Sequence, residues 1–119
     1  MDVIALAAEA LRPLTHKGVI VQQGWYDGSL HALHVTLWKL EDYESGHSDD
    51  ECEIEAATIQ VNIWSEKDQQ PLVKEIKKLM KENGFAFVAG NDQAEPDTGI
   101  FTNAMRFLIL KEAEEEMEE

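Results

Sequence analysis

The run from Ala57 to Trp64 constrains this chain more than any other feature. Ala57, Ile59, Val61 and Ile63 alternate with Thr58, Gln60, Asn62 and Trp64. Successive side chains of a strand point to opposite faces, so this period of two lays the aliphatic residues on one face, which must be covered. A few residues later the period changes. Leu72, Val73, Ile76, Leu79 and Met80 recur at helical spacing, with Lys74, Lys77, Lys78 and Lys81 on the opposite side. A half-buried strand followed at once by an amphipathic helix calls for a sheet with a helix packed on it.

The remaining segments fill in around that pair. Val3, Ala7, Ala10, Leu11 and Leu14 predict a first helix, capped by Asp2 and stopped near Arg12 by Pro13. Val19-Ile20-Val21 begins a strand that runs towards Trp25-Tyr26, with a turn at Asp27-Gly28. Leu33, Val35 and Leu37 alternate with His34, Thr36 and Trp38 as a second half-buried strand. Ile54 is out of phase with Ile59, which predicts a bulge near Ala56-Ala57. Ser65 or Asp68 is positioned to cap the second helix, Pro71 sits in its first turn, and Asn83-Gly84 ends it. Phe85 to Val88 reads as a short strand, Gly90 to Asp97 as a polar loop, and Ile100 to Lys111 as the last strand. The order is helix, strands, helix, strands. The expectation is an α+β fold with two helices on one face of a mostly antiparallel sheet.

Length and charge bound the rest. The chain has 119 residues, enough for one core. The expected division is a single domain over 1–111, with an acidic mobile loop at 41–51 and an acidic frayed tail at 112–119. Lys and Arg total 10 against 24 Asp and Glu, a net charge of −14. Such a chain is repelled by phosphate, which disfavours gripping nucleic acid or an anionic membrane surface. The start of the chain lacks the basic stretch of a signal peptide, and no apolar run is long enough to span a bilayer. Cys52 is the single cysteine, so no internal disulfide forms and a reducing, cytosolic setting is expected.

Motifs that carry chemistry are few. His31 and His34 have an HxxH spacing, but on a strand they point to opposite faces and no third ligand converges. His47, Asp49, Asp50, Glu51 and Cys52 cluster in the acidic loop without the glycine and terminal glutamate of an EF-hand. Cys52 has no placed base, so a partly buried strand cysteine is the plainer reading. There is no GxGxxG, P-loop, CxxC or GxSxG pattern. The expectation is no enzyme, no cofactor and no metal.

Trp38 and Trp64 need a reason, because the alternation puts them on the outer face of their strands. Either another element covers that face, or it is a subunit interface, where tryptophan and tyrosine are enriched. The lysines of the second helix form the one basic feature: either they meet an acidic face of a neighbouring subunit, or they are a solvated helix face with Lys74-Glu75 and Lys78-Glu82 pairs. The proposed interface is Trp38, Trp64, Lys74, Lys77, Lys78 and Lys81.

The segment Ile59 to Ser65, the helix ending at Asn83-Gly84-Phe85, and the late run Asp97-Thr98-Gly99-Ile100-Phe101 with Met105-Arg106-Phe107 together resemble a known family. They are similar to the small tail terminator, or head–tail joining, proteins of tailed bacteriophages and prophages. The resemblance covers roughly residues 3–111. It implies a virion-assembly protein forming a ring, usually of six copies. Such a ring stacks on the last ring of the tail tube and offers a surface to the head connector. DNA passes through it without specific binding, and an acidic wall suits that passage. No membrane is involved, and no catalytic residues carry over. The implied location is the host bacterial cytoplasm during assembly, then the virion. The alternative is a small α+β ligand-binding or regulatory domain that oligomerises through its sheet.

Overall fold

The computed structural model describes residues 1–30, 32–45 and 54–112, with the side chains of 43–45 and 112 left aside. Among them run α1 (Val3–Ala10), α2 (Arg12–His16), β1 (Ile20–Gln23), β2 (His34–Ser45), β3 (Ile54–Ser65), α3 (Gln70–Glu82), β4 (Ala86–Glu95) and β5 (Ile100–Glu112). The class is α+β. The strands form one five-stranded sheet in the order β1-β2-β3-β5-β4.

The sheet is mixed rather than mostly antiparallel, because β1 and β2 pair in parallel, Ile20 opposite His34 and Gln23 opposite Leu37. A parallel neighbour must start from the same end. The chain leaving Gln23 therefore travels back along the strand, and Asp27-Gly28 lies within that crossover, not at a hairpin tip. The other pairs are antiparallel.

The core follows the two periodicities. Ala57, Ile59, Val61 and Ile63 are buried with Val35, Leu37, Met105, Phe107 and Ile109. Val3, Ala7, Ala10, Leu11 and Leu14 from α1 and α2 join the same cluster, as do Val73, Ile76 and Met80 from α3. Leu72 and Leu79 pack against it half-buried. Register places Ile59 opposite Phe107 and Val61 opposite Met105, so the β3 and β5 contributions share one face.

Several boundaries differ from the sequence reading. The first helix does not end at Arg12. It breaks at Leu11 and resumes as α2, with Pro13 in the new first turn, where a missing N–H costs little. Asp2 caps α1 as expected, its Oδ1 accepting from the Ala5 amide at 3.1 Å. Helix α3 has no side-chain cap from Ser65 or Asp68. Its entry is held by tertiary contact instead: the Gln69 amide donates to Asn103 Oδ1 of β5 at 3.1 Å. The fully buried Asn103 donates in turn to Asp68 at 3.0 Å and to Asp92 at 2.8 Å. At the other end Gly84 takes the left-handed conformation (φ 93°), and the Phe85 amide returns to the Met80 carbonyl at 3.0 Å.

The expected bulge at Ala56-Ala57 is absent, since β3 pairs with β5 without a shift. The irregularity lies across the ladder in β2, between Lys39 and Glu41. Ile54 is out of phase because it faces outward, 45% exposed. Residues 41–45, expected in the acidic loop, belong to β2; 46–53 lie outside the described residues. Gly90 to Glu95, expected as loop, completes β4, and Gly99 (φ 75°) closes the turn into β5. Glu112 ends β5, and 113–119 lie outside the described residues.

Candidate functional site

The sheet face opposite the core carries Thr36 and Trp38 from β2, Gln60, Asn62 and Trp64 from β3, and Thr102, Ala104 and Arg106 from β5. The crossover between β1 and β2 folds over one end of it. Gly24, at φ 127°, turns the chain out of β1, and its amide still reaches the Leu37 carbonyl at 3.0 Å. Trp25 then lies against Trp38 at 4.3 Å between ring centroids and meets Trp64 edge-on at 5.3 Å. Tyr26 covers Trp64 at 5.1 Å and His34 at 5.6 Å. These spacings are those of favourable aromatic packing.

Polar bonds latch the crossover in place. The His34 ring is buried; its Nε2 accepts from the Asp27 amide at 3.2 Å, and its Nδ1 donates to the Ala32 carbonyl at 2.8 Å. The buried Trp64 Nε1 donates to Thr36 Oγ1 at 2.9 Å. Asp27 accepts from the Ser29 hydroxyl at 2.6 Å and the Ser29 amide at 3.0 Å. Those Ser29 bonds, with help from Gln22, hold the Asp27 carboxyl below the usual carboxylate range.

This covering decides which tryptophans are exposed. Trp64 is only 8% exposed and Trp38 is half-buried, whereas Trp25 is 60% exposed. The exposed tryptophan on this face is therefore Trp25. The signal for it was the long stretch from Gly24 to Leu33, too long for a two-residue hairpin.

Beside Trp25 runs a groove of about 670 Å³ across the face of β3, β5 and β4. Its lining includes Trp64, Asn62, Gln60, Arg106, Gln93 and Glu95. Gln60 Nε2 donates to Asn62 Oδ1 at 3.0 Å, which fixes both amides. Arg106 is exposed and forms no ion pair among the described residues. It pairs opposite Ala89, six residues along β4 from Glu95, so the cation and the acid stand about 20 Å apart.

The lysines of α3 lie where the periodicity put them. Lys74, Lys78 and Lys81 are exposed, and Lys77 is half-buried with its Nζ 4.1 Å from the Phe87 ring centroid. Lys78 reaches Glu82 at 3.8 Å. The structure thus keeps the lysines apart from the tryptophans: the former flank β4, the latter occupy the outer face at the β1–β2 end.

Of the candidate metal ligands, His34 serves the crossover. His31, His47, Asp49, Asp50, Glu51 and Cys52 lie outside the described residues. Among the described residues, no group of three or more His, Cys, Asp or Glu is placed to hold a metal. None of the described helices is long and apolar enough to cross a membrane.

No protein-family model matches this chain. No curated protein matches it in sequence. Among solved structures, a chain from the virion of a native gene transfer agent particle shares its fold. The TM-score is 0.55 over 92% of this chain and 86% of that one, at 12% identity. At that identity the likeness is one of fold.

Proposed function

We propose that this chain is a structural protein of a phage-like virion, and more narrowly a tail terminator or head–tail joining protein. The observation that carries the reading is the fold shared with a chain of the gene transfer agent virion over 92% of this sequence. In this reading the protein catalyses nothing and works by assembly. Its helices take one face of the sheet and leave the other for neighbours. Copies close into a ring, of six by the sequence resemblance, on the end of the tail tube, and the ring then receives the head connector. The net charge of −14 lets DNA pass without sticking. The protein is made in the bacterial cytoplasm and ends in the virion.

Trp25 and the α3 lysines are the proposed contacts. The indole supplies buried area, and the lysines steer an acidic surface. The test mixes purified protein with headless tail tubes from the same particle. Rings at the tube ends, seen by negative-stain microscopy, are expected. Trp25→Ala, and the pair Lys77→Glu with Lys78→Glu, should stay folded yet fail to cap. Raised salt should slow capping, because surface charges are screened within about 8–10 Å at physiological ionic strength. Bare tube ends with wild-type protein would count against the role.

The groove beside Trp25 favours a second reading, a ligand-binding domain that oligomerises through its sheet. Binding of a small molecule there, with no affinity for tubes, would move the balance to it.

A further inference from the structure

We propose that the free edge of β4, overhung by the lysines of α3, docks an extended acidic segment of another protein, which adds to the sheet as a further strand. The proposal rests on the assembly reading and supplies the mode by which the lysine face engages a partner.

Strand β4 stands last in the sheet, so its outward backbone donors and acceptors meet no strand among the described residues. All ten of its residues are exposed. Natural edges are kept short or blunted by proline or lysine on the strand itself. The opposite edge, β1, follows that rule with four residues. Strand β4 does not: it is long and carries neither proline nor lysine. Its half from Ala86 to Gly90 has no charge, and Phe87 and Val88 are 43% and 51% exposed. One irregularity, between Phe87 and Ala89, is its main guard. Its acids lie in the other half, where Asp92 is turned towards Asn103 and Gln70.

The charge that flanks this edge comes from α3. Lys77 reaches over Phe87, and Lys74 and Lys81 lie about one turn to either side on the same stripe. Among the described residues, the only ion pair of these lysines is the loose Lys78–Glu82 contact. An edge that is uncharged from Ala86 to Gly90, beside a positive flank, selects its occupant. Two β4 edges brought together would also bring two lysine stripes together, so self-pairing is disfavoured. The β1 edge of a second copy offers only Ile20-Val21-Gln22-Gln23, which is short and bears no acid. A segment of about ten residues from another protein, acidic at alternate positions, satisfies both the free backbone and the lysines.

The test uses the full chain, labelled for amide resonances, and a synthetic ten-residue peptide alternating glutamate and valine. Two control peptides carry lysine in place of glutamate, or backbone N-methyl groups at alternate residues. The glutamate peptide should shift the β4 amides and slow the exchange of those facing outward by about tenfold or more. The lysine and N-methylated peptides should not. Lys74→Glu with Lys77→Glu and Lys81→Glu should weaken binding by about tenfold or more, as should ~0.5 M salt in part. Shifts confined to α3, with no protection of β4, would overturn strand addition, as would equal binding of the N-methylated peptide, which leaves the protein untouched. A β4-protected homodimer without peptide would overturn the choice of partner. Tube capping that persists when the titration fails would leave the assembly reading standing and remove only this mode.

Discussion

Asn103 shows how one side chain can join elements that are distant in sequence. Its amide accepts from the entry of α3 and donates to Asp68 and Asp92, all from a fully buried position. Replacing it leaves the part-buried Gln69 amide without its acceptor, while the exposed Asp68 and Asp92 keep their bonds from Gln70. Asn103→Leu should therefore cost about 1–3 kcal/mol in urea denaturation. Thr58 is the contrasting case, because its buried Oγ1 has no partner among the described residues. Thr58→Val removes an unsatisfied group at constant shape, and should leave stability unchanged or raise it. Asp27 sets a pH dependence. Its folded carboxyl sits below the ordinary value, chiefly through the Ser29 hydroxyl, so the crossover gains stability from it above about pH 4. That gain is lost as the pH falls through the lowered folded value. Tryptophan fluorescence should therefore report loosening around Trp25 only on acidification below about pH 4, and Asp27→Asn should be loosened already at neutral pH. An identical acid profile in the Asn variant would show that Asp27 does not hold the crossover.

At the scale of elements, legibility in the sequence tracked burial. Strand β3 and helix α3 each bury one face, so their periods of two and 3.6 were visible and their core residues were named correctly. Ile76→Ala should accordingly cost about 2–5 kcal/mol, measured by denaturant unfolding, and a change within about 0.5 kcal/mol would contradict the assigned face. Strand β4 was half missed because it buries nothing: Asn91, Asp92 and Gln93 read as loop when only backbone pairing makes them strand. The parallel pairing of β1 was missed for a different reason. Both strands look alike whichever way they run, and only the length from Gly24 to Leu33 distinguishes a crossover from a hairpin. The same crossover alters the exposure of the outer-face tryptophans. Alternation put Trp38 and Trp64 on the outer face, but the crossover covers Trp64 and half-covers Trp38, presenting Trp25 instead. The α3 cap was not local in sequence, so Asn103 could not be read from the residues near Gln69.

At the scale of the whole molecule, the sheet is loaded unevenly. The apolar residues of α1, α2 and α3 join one buried cluster with the inward residues of the strands, while the outward residues meet a crossover, an aromatic cluster and a groove. Basic residues are gathered along α3 beside an exposed edge, in a chain whose net charge is −14. That separation suits a subunit that contacts different neighbours through different sides, as a ring on a tube does. The most direct measurement is tail length by electron microscopy in an induced host from which this gene has been deleted. The assembly account predicts overlong tails or tails without heads, restored to normal by the wild-type gene and not by the Trp25→Ala variant. Tails of normal length joined to heads in the deletion strain would contradict it.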